Sequence, residues 1–284
     1  MPEEVVYLNG AFVPYGEAKL PVEDRGLNFG DGVYEVVRIV GGRGFRLAEH
    51  LGRLARGLRE LEIPAEPAET LGEAMLETAR RNGIAEGTVY LQVTRGVASR
   101  KHPFPQGALP TVIAWARPFA GRSEEERAAG VACITVPETR HAYCEIKTTD
   151  LLPNVLANEK AHRAGAYEAI FVRDGMVTEG THASAFAVLG GTVWTHPVRN
   201  ILPGVTRALA LELAKSLGVP TREGALPVGR FRGADEVFLT GTTTEVLGVV
   251  RVDDEAIGDG SPGPVTRRLY EAYRSEVQKV RLSS

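Results

Sequence analysis

Two pairs of turn residues constrain this chain more than any other feature. Asp174-Gly175 separates the apolar run at residues 167–172 from Val177-Thr178-Glu179-Gly180, and Gly190-Gly191 separates residues 185–189 from residues 192–196. Such dipeptides accept the positive φ angles of a two-residue turn, so two successive antiparallel hairpins are expected. Residues 131–136 add another β-branched strand, and a helix is expected near residues 151–164. Leucine spacing then predicts a helix over residues 203–217, ended by Gly218; a strand follows at residues 236–240 and a last helix at residues 264–280.

The first part of the chain mixes strands and helices more evenly. Residues 33–40 form a β-branched run framed by Gly30-Asp31-Gly32 and Gly41-Gly42. Leu47, Leu51, Leu54, Leu58 and Leu61 fall on one helical face, which Pro64 is expected to end. Thr70 and Glu73 read as a capping box for a second helix, with Leu71, Ala74, Met75 and Ala79 buried and Gly83 closing it. Strands at residues 88–95 and 111–117 complete the region. A length of 284 residues exceeds the usual single core. The expected architecture is therefore α/β of the α+β kind: a small N-terminal domain at residues 1–118, a linker at 119–123 and a larger C-terminal domain with a β-rich core and flanking helices at 124–284. The acidic run at residues 124–126 reads as a solvated turn.

A formal net charge of -3 gives no bulk field that would favour nucleic acid or anionic lipid. Residues 1–10 carry two glutamates and no long apolar run, and no stretch of the chain is apolar enough to span a bilayer. The two cysteines, Cys133 and Cys144, allow no disulfide framework, which suits a reducing cytoplasm. His102, His141 and His162 lack the spacing of a zinc site, so no metal is expected.

Only six of the thirty-three basic residues are lysines, which shortens the search for a nucleophilic amine. Lys147 lies in Glu145-Ile146-Lys147-Thr148-Thr149, expected between a strand end and a helix, where a desolvated amine could form an imine with an aldehyde; a surface charge is the plainer alternative. Glu179, on the strand leaving the first hairpin, would need a cation if it points inward, and a protonated pyridine nitrogen could supply one. Arg100 and His102 sit in a proline-bounded loop able to present two donors to one carboxylate. Pro203-Gly204-Val205-Thr206 opens a helix whose free N–H groups suit an anion, and Thr240-Gly241-Thr242-Thr243-Thr244 is a second hydroxyl-rich turn. Neither matches a GxxxxGK[ST] loop, and no strand is followed by GxGxxG, which disfavours adenine nucleotides.

Together these segments resemble the fold-type IV pyridoxal phosphate enzymes, most of all the D-amino acid aminotransferases. The likeness runs from Glu23-Asp24-Arg25-Gly26 and Phe29-Gly30-Asp31-Gly32-Val33-Tyr34-Glu35 through Gln92-Val93-Thr94-Arg95-Gly96, Ile146-Lys147 and Val177-Thr178-Glu179-Gly180 to Gly204-Val205-Thr206-Arg207 and Thr242-Thr243-Thr244-Glu245. The resemblance implies two α/β lobes with the active site between them, pyridoxal 5′-phosphate as cofactor, and ping-pong transfer from D-amino acids such as D-alanine to 2-oxo acids such as 2-oxoglutarate. It implies Lys147 as the Schiff-base lysine and Glu179 as the partner of the ring nitrogen. By the same resemblance Arg53, Val205, Thr206 and Thr242 form a phosphate cup, and Tyr34, Arg100 and His102 a trap for the substrate carboxylate. A homodimer is implied as well. Branched-chain aminotransferases and aminodeoxychorismate lyases share the lysine and glutamate but not the Arg-x-His loop, and rank behind. A non-catalytic binder of phosphorylated ligands is the rival of another class. One departure is Thr181-His182-Ala183-Ser184, where close relatives carry a serine-rich stretch; His182 is expected to fill space or to line the side-chain pocket.

Overall fold

The computed structural model describes residues 4–282. The extreme ends of the two expected domains, and Glu3 of the N-terminal segment, lie outside the described residues. The chain divides into two compact units, of which the first takes residues up to Ala120, the segment Ile146–Leu151 and the stretch from Lys279 onward.

In the first unit the strands are β1 (Val5–Leu8), β2 (Ala11–Pro14), β3 (Gly32–Val40), β4 (Arg43–Gly44), β5 (Gly87–Thr94) and β6 (Thr111–Pro118), with helices α1 (Arg25–Phe29), α2 (Leu47–Glu60) and α3 (Ala68–Arg81). The sheet runs β2-β1-β6-β5-β3-β4, and every neighbouring pair is antiparallel. Strand alternation sends Val33, Val37 and Ile39 to one face, where Leu54 and Leu58 of α2 and Leu71 and Met75 of α3 cover them. Both helices end in the same way. Ile63 N–H donates to Leu58 O and Glu62 N–H to Arg59 O; Ile84 and Gly83 repeat the pattern on Ala79 and Arg80. These are Schellman closures, with Glu62 (φ 53°) and Gly83 (φ 65°) in the left-handed position. Helix α2 therefore stops before Pro64, and Leu61 is its cap, not its last stripe residue. Helix α3 starts earlier than its capping-box signature predicts. Pro67 stands at the N-cap with no side-chain bond, so Thr70 and Glu73 fall inside the helix, where the fixed φ of proline has already set the first turn.

In the second unit, taken as Gly121–Glu145 and Leu152–Gln278, the acidic run is helical. Helix α4 (Glu124–Ala129) begins at Ser123, whose hydroxyl accepts from Glu126 N–H while the Glu126 carboxylate accepts from Ser123 N–H. Three glutamates in a first turn complement the helix dipole, which is why a turn becomes a helix here. The other elements are β7 (Val131–Pro137), α5 (Leu152–Arg163), β8 (Glu168–Arg173), β9 (Met176–Gly180), β10 (Ser184–Leu189), β11 (Thr192–Thr195), α6 (Val205–Ser216), β12 (Thr221–Glu223), β13 (Leu226–Pro227), α7 (Val228–Arg232), β14 (Glu236–Gly241), β15 (Glu245–Val252), β16 (Glu255–Ala256) and α8 (Pro264–Leu282), whose residues from Lys279 are counted with the first unit. Their mixed sheet is ordered β12-β11-β10-β14-β15-β7-β8-β9-β13, with β16 beside β15. Both hairpins form on left-handed turn pairs, Asp174 with Gly175 (φ 51° and 76°) and Gly190 with Gly191 (φ 56° and 74°). Ile170, Val177, Ala185, Leu239 and Val249 lie in the core on this sheet. No helix among the described residues is long and apolar enough to cross a membrane.

Candidate active site

Lys147 does not follow a strand. Its segment is irregular and clipped to β3 by the main chain: Tyr34 N–H donates to Lys147 O (3.0 Å), Thr149 N–H to Gly32 O (3.0 Å), and Val33 bridges Thr148. The adjoining Ile146 side chain is buried in the core of the first unit, which anchors the segment from below. This tether, not a strand end, fixes where the amine leaves the backbone. Nζ lies 4.2 Å from the centroid of the Tyr34 ring. Tyr34 is backed in turn by Tyr90 (5.4 Å) and Tyr90 by Trp115 (4.0 Å), an aromatic tier across β3, β5 and β6.

Arg100 and His102 are exposed in the loop between β5 and β6. Both converge on one side chain, Phe29 at the end of α1: the guanidinium carbon lies 5.0 Å from that ring's centroid and the imidazole 5.5 Å. Arg53 is engaged otherwise. Its Nε and Nη2 fork the two oxygens of Glu35 (2.7 and 2.8 Å), and His50 Nδ1 meets the same carboxylate at 2.8 Å. Burial by itself would raise the Glu35 pKa, but the Arg53 and His50 partners outweigh it and hold the group at about 2. Any phosphate role for Arg53 is thus exercised from a guanidinium already fixed in place.

In the second unit, Glu179 on β9 is buried. One of its oxygens accepts from Arg140 Nη1 (2.5 Å) and from the N–H of Leu202 (3.0 Å). Burial pushes the Glu179 carboxyl up and Arg140 pulls it back, the net direction being upward. Sequence reasoning misses Arg140; its one signal there is the Glu138-Thr139-Arg140 spacing that lets it also bond Glu138 (2.5 Å).

Val205 and Thr206 begin α6 behind Gly204, and no side chain caps that helix. A Cβ at Gly204 would come within 2.9 Å of Ser184 Oγ, so a side chain there would have to displace that hydroxyl. Ser184 pairs in register with Thr240, whose buried hydroxyl has no partner among the described residues. Thr242 lies in the turn that follows, between β14 and β15. An uncapped helix start, a bare glycine and an unsatisfied hydroxyl suit an anion such as phosphate, and a buried carboxylate suits a protonated ring nitrogen. The residues present therefore fit pyridoxal phosphate.

His182 is not a space filler. Its Nδ1 lies 2.8 Å from the fully buried carboxylate of Glu168, while its own side chain keeps 43% exposure. Burial would raise the Glu168 pKa, yet the His182 and Thr181 hydrogen bonds lower it overall.

The family model described as amino-transferase class IV matches residues 32–252. The chain belongs to the class IV aminotransferases. Among its relatives is the D-alanine aminotransferase of Bacillus licheniformis, 40% identical over 96% of each chain. The D-alanine aminotransferase of Staphylococcus haemolyticus is 38% identical, over 96% of this chain and 98% of that one. Of solved structures, a T.th. branched-chain amino acid aminotransferase with pyridoxamine 5′-phosphate superposes with a TM-score of 0.92 at 31% identity, covering 98% of this chain and 95% of that one. The branched-chain amino acid aminotransferase from Escherichia coli gives 0.88 at 28%, over 96% and 94%. This class IV aminotransferase is thus a pyridoxal phosphate-dependent enzyme of the fold-type IV architecture, as the motif resemblance predicts.

Proposed function

We propose that this aminotransferase moves the amino group of D-amino acids, D-alanine first among them, to 2-oxo acids such as 2-oxoglutarate. The observation that carries this reading is the convergence of Arg100 and His102 on Phe29, in a chain whose near relatives are named D-alanine aminotransferases. When bound, pyridoxal phosphate supplies a carbonyl carbon for the substrate amine and an electron-poor ring that weakens the Cα–H bond. Lys147 would hold the cofactor as its Schiff-base lysine and would serve as the base that takes the proton from the substrate Cα. Tyr34, in contact with Nζ, limits the directions in which that amine can swing. Glu179, whose carboxyl burial pushes up and Arg140 pulls part of the way back, would pair with the ring nitrogen of the cofactor. Val205, Thr206, Thr242 and the prefixed Arg53 bind the phosphate. Tyr34, Arg100 and His102 take the substrate carboxylate, so that only the D-enantiomer turns its Cα proton toward Lys147.

The test is a half-reaction followed in the visible spectrum of the holoenzyme. D-alanine should discharge the cofactor band, whereas discharge by L-leucine and not D-alanine would replace this reading with the branched-chain one. A preparation that stays colourless with added pyridoxal phosphate would favour the phosphate-ligand binder. Initial-rate lines should be parallel, since the first product leaves before the second substrate binds. Arg100→Ala should raise KM for both D-alanine and 2-oxoglutarate by about tenfold or more, the worth of a charge-assisted hydrogen bond.

The enzyme is proposed to work as a homodimer in the cytoplasm. Exposed Val22, Leu27, Phe104 and Leu109 in the first unit support self-association, and two buried unpaired cysteines support the address. Sedimentation at the mass of one chain would count against the dimer.

A further inference from the structure

The loop that bears Arg100 and His102 is exposed at its tip, yet one buried arginine, Arg25, holds its backbone from beneath and a second, Arg95, stands at its root. Arg25 Nη1 donates to Lys101 O (2.6 Å) and its Nη2 to His102 O (3.3 Å), two successive carbonyls beside the expected carboxylate donors. Arg95 sits at the loop's root, where it donates to Leu61 O (2.6 Å) and Glu62 O (3.0 Å) behind α2, and Phe104 of the loop lies over its guanidinium at 3.5 Å. One carboxylate joins the two cations: Asp31 accepts from Arg25 Nε (2.7 Å), from Arg95 Nε (2.8 Å) and from Arg95 Nη2 (3.0 Å). The neck of the loop is pinched as well. Gly96 has φ 93°, and a Cβ on it would overlap Leu109 O at 1.8 Å, so the loop's two ends touch there.

Two guanidiniums with 3% and 4% exposure need a shared counter-charge, and a neutral group in that place would leave them uncompensated. Burial alone would raise the Asp31 pKa, but the Arg95 and Arg25 contacts lower it overall, which keeps the counter-charge in place at working pH. Two buried cations and one carboxylate thus meet beneath the loop and at its root.

We propose that the Arg25–Asp31–Arg95 clamp is the positioning device of the substrate-carboxylate site, presetting the loop so that Arg100 and His102 meet the carboxylate in a segment that is already ordered. The proposal rests on the reading of those two residues as carboxylate donors. Preorganisation of this kind lowers the cost of binding while leaving the chemical step alone. Arg25 and Arg95 act through the loop and are not catalytic residues.

The experiment uses the holoenzyme of the wild type, of Asp31→Asn and of Arg25→Lys. The second variant keeps a cation beside Asp31 but loses the fork that reaches both carbonyls, and it stands in should Asp31→Asn fail to fold. Arg100 and Lys101 are themselves trypsin sites, so cleavage after either residue, identified by mass, reports loop release without reference to activity. Both variants should be cut at these positions about tenfold faster than the wild type and should raise KM for D-alanine and 2-oxoglutarate together, by about tenfold, with kcat and the cofactor band held. Unchanged cleavage overturns the clamp. Faster cleavage with unchanged KM overturns its positioning role. In that second case Arg100→Ala separates the causes: a raised KM leaves the carboxylate reading standing, and an unchanged one shows that reading has failed on its own.

Discussion

Glu35 alternates to the core side of β3 between Val33 and Val37, and a carboxylate there is tolerable only because Arg53 and His50 reach it from α2. Its folded pKa of about 2 lies below the ordinary 4.5. A depressed carboxyl contributes stability that is fully present above the ordinary value and is lost as pH falls through the folded one. Glu35→Gln should therefore cost about 3–5 kcal/mol near neutrality, because it strands a buried guanidinium. In urea titrations the gap from wild type should narrow as pH drops from 4.5 toward 2; a gap independent of pH would mean the pair is not ionised. The roles proposed for Lys147 and Glu179 come from motifs in the sequence. Arg140 and Glu168 are not legible there, since each acquires its partner only when a distant segment arrives, Glu179 being 39 residues from Arg140 and His182 14 from Glu168.

At the level of elements, helices α2 and α3 are held by one apolar face each. Met75 has no exposed surface, so Met75→Ala should destabilise the first unit by about 2–5 kcal/mol, through lost burial and the cavity left behind. Leu156 on α5 is 55% exposed, and Leu156→Ala should change stability by less than about 0.5 kcal/mol. Equal melting shifts for the two would contradict the assigned core. Elements whose signals are local are readable: both hairpins follow from two residues' tolerance of positive φ, and the leucine stripe from helical spacing. Helix starts are less so. Thr70 with Glu73 and Ser123 with Glu126 carry the same capping signature, yet only the second pair caps a helix, because Pro67 has already begun the other.

At the scale of the whole molecule, the cofactor should act as a stabilising ligand. A bound group at about a hundred times its Kd adds roughly 2.7 kcal/mol, so removing pyridoxal phosphate should lower Tm by about 5 °C or more. An unchanged Tm after resolution to the apo form would argue that the uncapped start of α6 and the Thr240 hydroxyl do not hold it. The sequence by itself determined the alternation of strands and helices, the two tight turns and membership of the family, since each depends on residues close together along the chain or on motifs kept in order. Tertiary structure alone decided which charges neutralise which. Asp31 and Arg95 are 64 residues apart, Glu35 and Arg53 eighteen, and such partners meet through sheet register and helix packing. No local propensity encodes that meeting, because a buried charge selects its counter-ion by where the fold delivers one.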